Sequence, residues 1–293
     1  MATRIGIIGL GEAGAAIAAG LKSEGVQVAG FEARMHLPEV AEKVNSLGIT
    51  VCKDLEELAK SSDLILCLTH AKFAVSIAEE LVPLLQQGQV YSDWNSTGPQ
   101  LKKTVGAVIA KSKGTFVDVA VMGAVPPLKH RVPIIISGSG KARFIELTQG
   151  MNLEMEISGD EAGEASATKM LRSILVKGME SLMLEFLLMA REYGGGAKVL
   201  EGMGGSMPFD DWNEFATYIT SRTYLHARRR SAELGQVITT LEEAGIESMV
   251  ASGCEKRLTW AADLELNAGG RQAPRDYNEF IDRVYEKIEE RKK

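Results

Sequence analysis

Four polar side chains fall on one stripe of an otherwise apolar helical segment, "SATKMLRSILVKG" (166–178). Each residue turns an α-helix by about 100°, so Lys169, Ser173 and Lys177 stack one turn apart, with Arg172 beside them. A solvated face would explain such a stripe. A charged cleft would explain it as well, because an amine among apolar groups and other cations has a lowered pKa and can then exchange a proton near neutral pH.

Composition limits the classes of protein that could carry this stripe. The 293 residues suffice for about two domains, and 45% hydrophobic with 25% charged residues are typical of a globular protein. A net charge of −6 argues against a nucleic-acid partner. The three cysteines (Cys52, Cys67 and Cys254) lack metal-ligand or CxxC spacing, which predicts buried free thiols.

Short apolar runs alternate with amphipathic runs through the first half of the chain. This alternation predicts a parallel sheet covered by helices on both faces. The predicted strands are 4–10, 26–31, 63–68, 89–94, 114–121 and 132–138, and the predicted helices are 14–23, 37–47, 54–60, 71–86 and 99–112. Pro99 suits the first turn of the last of these helices.

Strand patterns stop after about residue 160. A long helical pattern covers 161–193 and ends at the glycines of "YGGGA", and helices are predicted over 211–244, 246–264 and 275–291. Ser206, Asp210 or Asp211 could cap the first of these three. We therefore predict an α/β Rossmann-type domain (1–160), one interdomain helix (161–193) and an all-α domain for substrate binding and dimerisation (194–293).

A glycine-rich turn, "GLGEAG", directly follows the first predicted strand and opens a helix. In this GxGxxG pattern Gly9 permits the tight turn, Gly11 lets a pyrophosphate approach the backbone, and Gly14 lets helix and strand pack closely. The free N–H groups of the helix N-terminus would face the phosphates. The turn predicts a dinucleotide site made by Gly9, Leu10, Gly11, Glu12, Ala13 and Gly14.

Two charged residues after the second strand bear on the choice of dinucleotide. Glu32 follows Gly14 by 18 residues, where a carboxylate binds an adenosine ribose and repels a 2′-phosphate. Arg34 could instead bind that phosphate. We predict NAD as the cofactor, with NADP not excluded.

With these elements placed, the chain resembles the β-hydroxyacid dehydrogenases, the family of 3-hydroxyisobutyrate and 6-phosphogluconate dehydrogenases. The glycine turn in "IGIIGLGEAG" matches the N-terminal cofactor loop of that family. "DWNSTGP" (93–99) is similar to its D-x-S-T-x-x-P loop beside the nicotinamide, and "VDVAVMGA" (117–124) lies where its substrate loop D-A-P-V-S-G-G is found. "GEASATKMLRS" (163–173) matches G-x-x-x-x-x-K-x-x-x-N at the glycine and the lysine.

The resemblance implies hydride transfer between a nicotinamide and a β-hydroxy acid or related anionic alcohol. It makes Lys169 the general acid–base, with Ser173 one turn later in place of the usual asparagine. The substrate loop also departs from the family, with Ala120 in place of proline and Met122-Gly123-Ala124 in place of Ser-Gly-Gly. "TKMLRS…KG" together with "RTYLHARRRSAEL" (222–234) resembles one branch with a phosphogluconate-dehydrogenase-like helical domain and a poorly defined substrate.

The remaining predicted contacts follow from this placement. Arg222, His226, Arg229, Arg230 and Glu233 share one helical face, which is either a solvated basic face or one that closes over the substrate. The predicted substrate-binding residues are Ser96, Met122, Gly123, Ala124, Arg172, Lys177, His226 and Arg230. The other predicted cofactor-binding residues, at strand ends, are Leu68, Thr69, His70 and Thr97, with a loop-capping role open for His70.

Other activities remain as alternatives: oxidative decarboxylation, imine reduction, against which Lys169 argues, or dinucleotide sensing without catalysis. The four histidines form no ligand pair, so we predict no metal site. The N-terminal apolar stretch is interrupted by Glu12 and is too short to cross a bilayer, which predicts a cytoplasmic protein without membrane contact. The apolar run "LMLEFLLMA" (182–190) suits either a homodimer interface or burial under the chain's own helices.

Overall fold

A computed structural model describes residues 3–203, 211–243, 245, 247–270 and 272–292. Contacts divide the chain into two compact units, Met1–Lys169 and Met170–Lys293. The strands of the first unit are β1 (Arg4–Ile8), β2 (Gln27–Phe31), β3 (Thr50–Val51), β4 (Leu64–Cys67), β5 (Val90–Asp93), β6 (Thr115–Val121), β7 (Ile134–Ser137) and β8 (Met155–Ile157). Its helices are α1 (Glu12–Ser23), α2 (Pro38–Ser46), α3 (Leu55–Lys60), α4 (Ala74–Leu81), α5 (Pro99–Ile109), α6 (Val125–Leu128) and α7 (Lys141–Leu147).

The strands form one twisted sheet in the order β3-β2-β1-β4-β5-β6-β7-β8. The six predicted strands are confirmed, whereas β3 and β8 were not predicted. The predicted parallel sheet is confirmed, with one exception: β7 pairs antiparallel with β6. A parallel partner needs a long crossover, usually a helix, and residues 122–133 provide only the single turn of α6 and a 3₁₀ turn at Lys129–Arg131.

Both faces of the sheet are buried, as the apolar strands predict. Ile7 and Leu66 contribute to the core on one face, and Ile8 and Ile65 to the core on the other. Near-continuous apolar strands form because successive side chains point to opposite faces and both faces are covered by helices. α5 begins at Pro99, as predicted. The predicted helix 71–86 is shorter, with a 3₁₀ turn followed by α4.

The remaining helices are α8 (Glu164–Tyr193), α9 (Gly196–Met203), α10 (Trp212–Glu243), α11 (Met249–Asp263) and α12 (Tyr277–Lys292). The long predicted helix is α8, and α9 was not predicted. Asp211 caps α10 by accepting the N–H groups of Asn213 and Glu214 at 2.7 and 3.0 Å. The alternative caps Ser206 and Asp210 lie outside the described residues.

The second unit has its own apolar core. Leu184 of α8, Ile219 of α10 and Phe280 of α12 belong to one buried cluster. Met183 and Leu187 lie in the same cluster, so part of the run 182–190 is buried under the chain's own helices. All three cysteines are buried and none forms a disulfide, as predicted. None of the described helices combines the length and apolarity needed to cross a bilayer.

Candidate active site

One row of paired residues crosses the centre of the sheet, at the carboxyl ends of β1, β4 and β5 and in the middle of β6. Ile8 of β1 pairs with Cys67 of β4, Cys67 with Asp93 of β5, and Asp93 with Asp118 of β6. The glycine turn, residues 68–70 and residues 95–97 follow the first three of these residues. We call 68–70 and 95–97, which carry predicted cofactor-binding residues, the nicotinamide loops. The strand order reverses at β1, and in open α/β sheets ligands bind in the crevice at such a point.

The β1–α1 turn has the geometry that the GxGxxG pattern predicts. Gly9 has φ = 88°, a conformation that favours glycine, and its N–H donates to the Phe31 carbonyl at 2.9 Å. A Cβ at Gly14 would lie 1.9 Å from the Gly9 carbonyl oxygen, so α1 packs directly on the turn. A Cβ at Gly11 would meet no described atom within 4 Å. The turn is closed at Gly14 and open at Gly11, where a pyrophosphate is expected.

Glu32 lies just beyond β2 with 7% of its surface exposed and accepts the Leu10 N–H at 2.9 Å. Its other oxygen accepts a hydrogen bond from Nε of the Arg34 guanidinium at 2.8 Å. Burial raises the pKa of Glu32, but the hydrogen bonds from Arg34 and from the Leu10 N–H outweigh burial and hold that pKa below its ordinary value. The carboxylate is therefore ionised beside the glycine turn. Glu12 is exposed and Ala13 half-buried in the first turn of α1.

The loop after β4 is tied to the loop after β5. Leu68 donates its N–H to the Ile8 carbonyl at 2.8 Å, and the Thr69 N–H donates to the Asn95 side-chain oxygen at 2.7 Å. His70 is exposed and precedes the 3₁₀ turn without a side-chain capping bond to any described residue. The loop-capping alternative for His70 therefore receives no support.

In the loop after β5, Asn95 is buried and its N–H donates to an Asp93 oxygen at 2.8 Å. Ser96 is exposed. Thr97 is 1% exposed, and its hydroxyl has no hydrogen-bond partner among the described residues. A buried hydroxyl without a partner is uncommon in proteins and is a group whose bond a ligand could complete.

Three fully buried charged side chains lie beneath these loops: Asp93, Lys102 and Asp118. None of them is among the site residues predicted from the sequence. The Lys102 ammonium donates to the Asp93 main-chain oxygen at 2.5 Å, and lies 3.4 Å from an Asp93 carboxylate oxygen and 3.3 Å from one of Asp118. Burial raises the pKa of Asp93, and the charge of Lys102 opposes that rise. A signal existed in the sequence, since Lys102 falls on the apolar face of α5 with Val105 and Ile109.

Asp118 caps the long helix α8 from a distant part of the sequence. One oxygen accepts the N–H groups of Gly163 and Ser166 at 3.1 and 3.0 Å, and the other accepts the Ser166 hydroxyl at 2.8 Å. The hydroxyl of Ser137 accepts the Ala165 N–H at 3.1 Å. Three otherwise unpaired N–H groups of the helix start are satisfied in this way.

Lys169 lies on α8 one turn after Ala165 and is partly exposed. Ala165 belongs to a small apolar cluster with residues of β6 and β7, and Met122 of the predicted substrate loop packs against that cluster. The predicted substrate loop therefore runs beside the first turn of α8. The two residues that follow Met122 are exposed, Gly123 and Ala124.

Further along α8, the polar stripe is buried within the helical unit. The Lys177 ammonium lies 3.1 Å from the Ser173 hydroxyl and 3.0 Å from a carboxylate oxygen of Glu233 on α10. Burial lowers the pKa of Lys177, and the Glu233 carboxylate opposes that effect. Ser173 and Lys177 are 8% and 6% exposed. This part of the stripe is not a solvated face.

The predicted basic face of α10 is mostly paired with carboxylates. Arg230 is 2% exposed and forms an ion pair with Glu180 of α8, to which Arg222 also lies close, at 3.3 Å. Arg229 pairs with Glu233 at 2.7 Å. Burial raises the pKa of Glu180 against the opposing charge of Arg230. The substrate-binding roles of Lys177 and Arg230 stay predictions, and both cations already have carboxylate partners.

The last two predicted substrate residues, Arg172 and His226, are exposed on α8 and α10. Their predicted roles are untested by this geometry. Among the described residues, no group of three His, Cys, Asp or Glu side chains could hold a metal ion.

Sequence comparison places the chain in a family. A family model described as the NAD binding domain of 6-phosphogluconate dehydrogenase matches residues 4–171, and a Domain of unknown function (DUF1932) matches residues 190–261. The first match covers more than half of the 293 residues. The chain belongs to the family of the NAD binding domain of 6-phosphogluconate dehydrogenase.

Solved structures agree with this assignment. A conserved hypothetical protein from Sinorhizobium meliloti 1021 is 29% identical with a TM-score of 0.82, and the match covers 98% of this chain and 97% of that one. MTH1747, a conserved protein of unknown function described as structurally similar to 3-hydroxyacid dehydrogenases, is 29% identical with a TM-score of 0.76, over 89% and 97%. The fold is shared with 3-hydroxyisobutyrate dehydrogenase of Mycobacterium tuberculosis at 17% identity and a TM-score of 0.74, over 90% and 95%. The resemblance to the β-hydroxyacid dehydrogenases is confirmed.

Proposed function

We propose that the protein is an NAD(P)-dependent oxidoreductase that transfers a hydride between a nicotinamide and a β-hydroxy acid or a related anionic alcohol. The observation that carries the proposal is the row Ile8, Cys67, Asp93 and Asp118 across four neighbouring strands. The glycine turn and both nicotinamide loops follow this row. Its last member caps the helix on which Lys169 lies.

The residues of the first unit fit a dinucleotide. The open position at Gly11 and the N-terminus of α1, where Gly11 provides no side-chain cap, suit a pyrophosphate. The ionised Glu32 suits a ribose diol and disfavours a 2′-phosphate, so we favour NAD over NADP. Ser96 and the buried hydroxyl of Thr97 are the side chains of the 95–97 loop that we assign to substrate and nicotinamide.

Bound nicotinamide supplies the hydride acceptor or donor. In the direction of oxidation, the neutral amine of Lys169 would take the proton of the substrate hydroxyl as the carbon that bears this hydroxyl loses a hydride, for which bound nicotinamide would be the acceptor. The resulting Lys169 ammonium would then return the proton to solvent. In the direction of reduction, the Lys169 ammonium donates that proton to the carbonyl oxygen. A general acid–base in this position contributes a factor of about 10² to 10⁴ to the rate.

Ser173 supports this step from the next turn of α8. Its hydroxyl oxygen receives a hydrogen bond from the Lys177 ammonium at 3.1 Å. That bond leaves the Ser173 O–H proton for a second acceptor, which we assign to the substrate oxygen.

We also propose a homodimer in a reducing, cytoplasmic compartment. Leu171, Leu175 and Leu182 share a face of α8 and are 69%, 64% and 62% exposed, an apolar surface that a second copy would cover. Three buried cysteines that form no disulfide suit a reducing compartment. We expect a small anionic substrate and neither nucleic acid nor membrane as a partner.

The test is the absorbance at 340 nm with NAD or NADP and a panel of 3-hydroxy acids that includes phosphorylated and aryl-substituted compounds. We expect Lys169→Ala to lower kcat by about 100-fold or more, with cofactor affinity unchanged. Lys111→Ala, which removes an exposed lysine of the same unit, is the control. Full turnover by Lys169→Ala would exclude the proposed role, and cofactor binding without turnover of any compound would favour a sensor or an imine reductase.

A further inference from the structure

The buried cluster of Lys102, Asp93 and Asp118 lies outside the residues to which we assign chemistry. We propose that Lys102 is a positioning residue whose ammonium joins the two nicotinamide loops to the start of the helix that bears Lys169. This inference rests on the proposed function, because it assigns a role to Lys102 through Lys169. The geometry on which it stands lies entirely within the first unit.

Charge balance is the first argument. Lys102, Asp93 and Asp118 are each 0% exposed, so two carboxylates share one ammonium without contact with water. The second negative charge is balanced by N–H groups at the start of α8, where the helix dipole favours an anion. An uncompensated buried charge is strongly unfavourable. The cluster is therefore complete only when the first turn of α8 is in place.

One arm of the cluster organises the nicotinamide loops. The main-chain oxygen of Asp93 accepts a hydrogen bond from the Lys102 ammonium, and a side-chain oxygen of Asp93 accepts the Asn95 N–H at 2.8 Å. The side chain of Asn95 in turn accepts the Thr69 N–H at 2.7 Å. A displacement of Asp93 would therefore move both the loop after β4 and the loop after β5.

The other arm organises the helix. An oxygen of Asp118 lies 3.3 Å from the Lys102 ammonium, and the same oxygen accepts the Ser166 hydroxyl at 2.8 Å. Ser166 precedes Lys169 by three residues, less than one helical turn. A displacement of about 1 Å in a reacting group can lower a rate by about 100-fold. The cap thus sets the position of the reacting amine.

Lysine suits this role because it presents three N–H donors on a compact ammonium. The Lys102 ammonium donates to the main-chain oxygen of Asp93 and lies 3.4 and 3.3 Å from carboxylate oxygens of Asp93 and Asp118. Methionine is similar in length and would fill the same space with no charge and no donor. Lys102→Met therefore tests the ammonium while changing the volume little.

The experiment compares Lys102→Met, Ser166→Ala and Asp118→Asn by hydrogen exchange and by steady-state kinetics. Asp54→Asn is the matched control, since Asp54 caps α3 by accepting the Glu57 N–H at 2.8 Å, away from the site. We expect Ser166→Ala and Asp118→Asn to raise exchange in residues 163–169 by about fivefold, the effect of a lost cap. Lys102→Met should raise exchange there and also in residues 68–70 and 95–97, while Asp54→Asn changes neither segment.

In the steady-state kinetics, we expect each of the three variants to lower kcat by about tenfold or more. For Ser166→Ala, the cofactor dissociation constant should stay within about twofold of the wild-type value. All three variants should also shift the pH at which the Lys169 amine reacts with an acylating reagent, measured by mass spectrometry. A purely structural role would not move this titration. If Lys102→Met fails to fold, the double variant Lys102→Met with Asp93→Asn takes its place in the comparison, because it removes one charge of each sign.

Exchange readouts need no substrate, so they test the positioning role even if no hydroxy acid turns over. Suppose that Lys102→Met raises exchange in residues 163–169 and in the nicotinamide loops, while the wild type turns over no compound. That result would support the positioning role of Lys102 and contradict the proposed function. Uniform exchange changes throughout the first unit, or unchanged exchange in residues 163–169 for Lys102→Met, would overturn the inference.

Discussion

Lys177 and Glu233 hold α8 against α10 through an ion pair of 3.0 Å between largely buried side chains. Lys169 lies two turns earlier on the same stripe and is partly exposed at the start of the helix. One helical stripe therefore carries two lysines with different surroundings. We assign Lys169 to chemistry, whereas Lys177 links α8 to α10.

Replacing Lys177 should mainly lower the stability of the protein, whereas replacing Lys169 should mainly lower the reaction rate. Lys177→Met leaves the Glu233 carboxylate half-buried without one of its partners, which should lower the free energy of unfolding by about 2 kcal/mol, between the values for exposed and buried pairs. Lys169→Ala should lower kcat and leave the melting temperature nearly unchanged. Thermal unfolding followed by circular dichroism, together with kcat, measures both.

The double variant Lys177→Met with Glu233→Gln is the control for the ion pair. It removes both charges and should recover part of the lost stability. Equal losses for the single and double variants would mean that Lys177 contributes through packing and not through the pair.

Two of the three glycines of the turn, Gly11 and Gly14, should respond differently to replacement by alanine. A Cβ at Gly11 meets no described atom within 4 Å, and its φ of −65° is open to any residue. Gly11→Ala should therefore change stability by less than about 1 kcal/mol. It should still weaken NAD binding at least about tenfold, because the methyl group occupies the path of the pyrophosphate. Fluorescence titration of NADH measures the affinity.

Gly14→Ala should instead destabilise the fold. Its Cβ would lie 1.9 Å from the Gly9 carbonyl oxygen, a backbone atom that can move only with the turn, and overpacking of this kind costs about 3 kcal/mol or more. Unchanged NADH affinity in Gly11→Ala would contradict the pyrophosphate site. A fully stable Gly14→Ala would contradict the packing of α1 on the turn.

Local patterns predicted the elements that are long or strongly apolar. All six predicted strands are found, because fully buried strands give continuous apolar runs that are visible in the sequence. β3 spans two residues, Thr50–Val51, too few to give a period, and β8 is largely exposed and mixes Met155 and Ile157 with a glutamate. The antiparallel direction of β7 depends on the path of the connection, which apolar periodicity does not encode.

The candidate site was predictable where it depends on local backbone and hidden where it depends on distant partners. The backbone conformation of Gly9 and the close packing at Gly14 follow from spacing alone. By contrast, Asp118 caps a helix that begins 46 residues later, and Arg230 pairs with Glu180, 50 residues away. Charge spacing on one helix shows which groups share a face but not which carboxylate meets them. Solvated and buried stripes therefore looked alike in the sequence.

Glu32 should govern the choice between the two nicotinamide cofactors. Its ionised carboxylate repels a 2′-phosphate, whereas the Arg34 guanidinium beside it attracts one. We expect Glu32→Gln to raise the affinity for NADPH by about tenfold, since it removes about 1.4 kcal/mol of repulsion near the surface. Adding Arg34→Ala should cancel the gain. If Glu32→Gln left the ratio of NADH to NADPH affinity unchanged, the adenosine ribose would not bind beside Glu32.

Glu32 should also contribute to stability in a pH-dependent way. Its pKa in the folded protein is lowered, so the unfolded chain binds the proton more tightly, and the contribution is complete above the ordinary carboxyl pKa of about 4.3. It is lost as the pH falls through the folded value. Wild type should therefore melt higher than Glu32→Gln at pH 7, with the difference shrinking below about pH 4.3.

Melting curves from pH 7 to pH 3 measure this difference. Glu12→Gln, at an exposed carboxyl of the same turn, controls for the loss of one negative charge. A difference between wild type and Glu32→Gln that grows towards acid pH would have the opposite sign and would contradict the hydrogen bonds assigned to the Glu32 carboxylate.

The exposed leucines of α8 should determine the oligomeric state. Leu171 and Leu175 lie one turn apart and are 69% and 64% exposed, so a charge at either position costs little in a monomer. In a dimer that buries this face, Leu175→Asp would place an unpaired carboxylate in an apolar interface, which is strongly unfavourable. We expect sedimentation to give a dimer for wild type and a monomer for Leu175→Asp. Val250→Asp, at a 60% exposed residue of α11, should remain dimeric, and a wild-type monomer would exclude the interface.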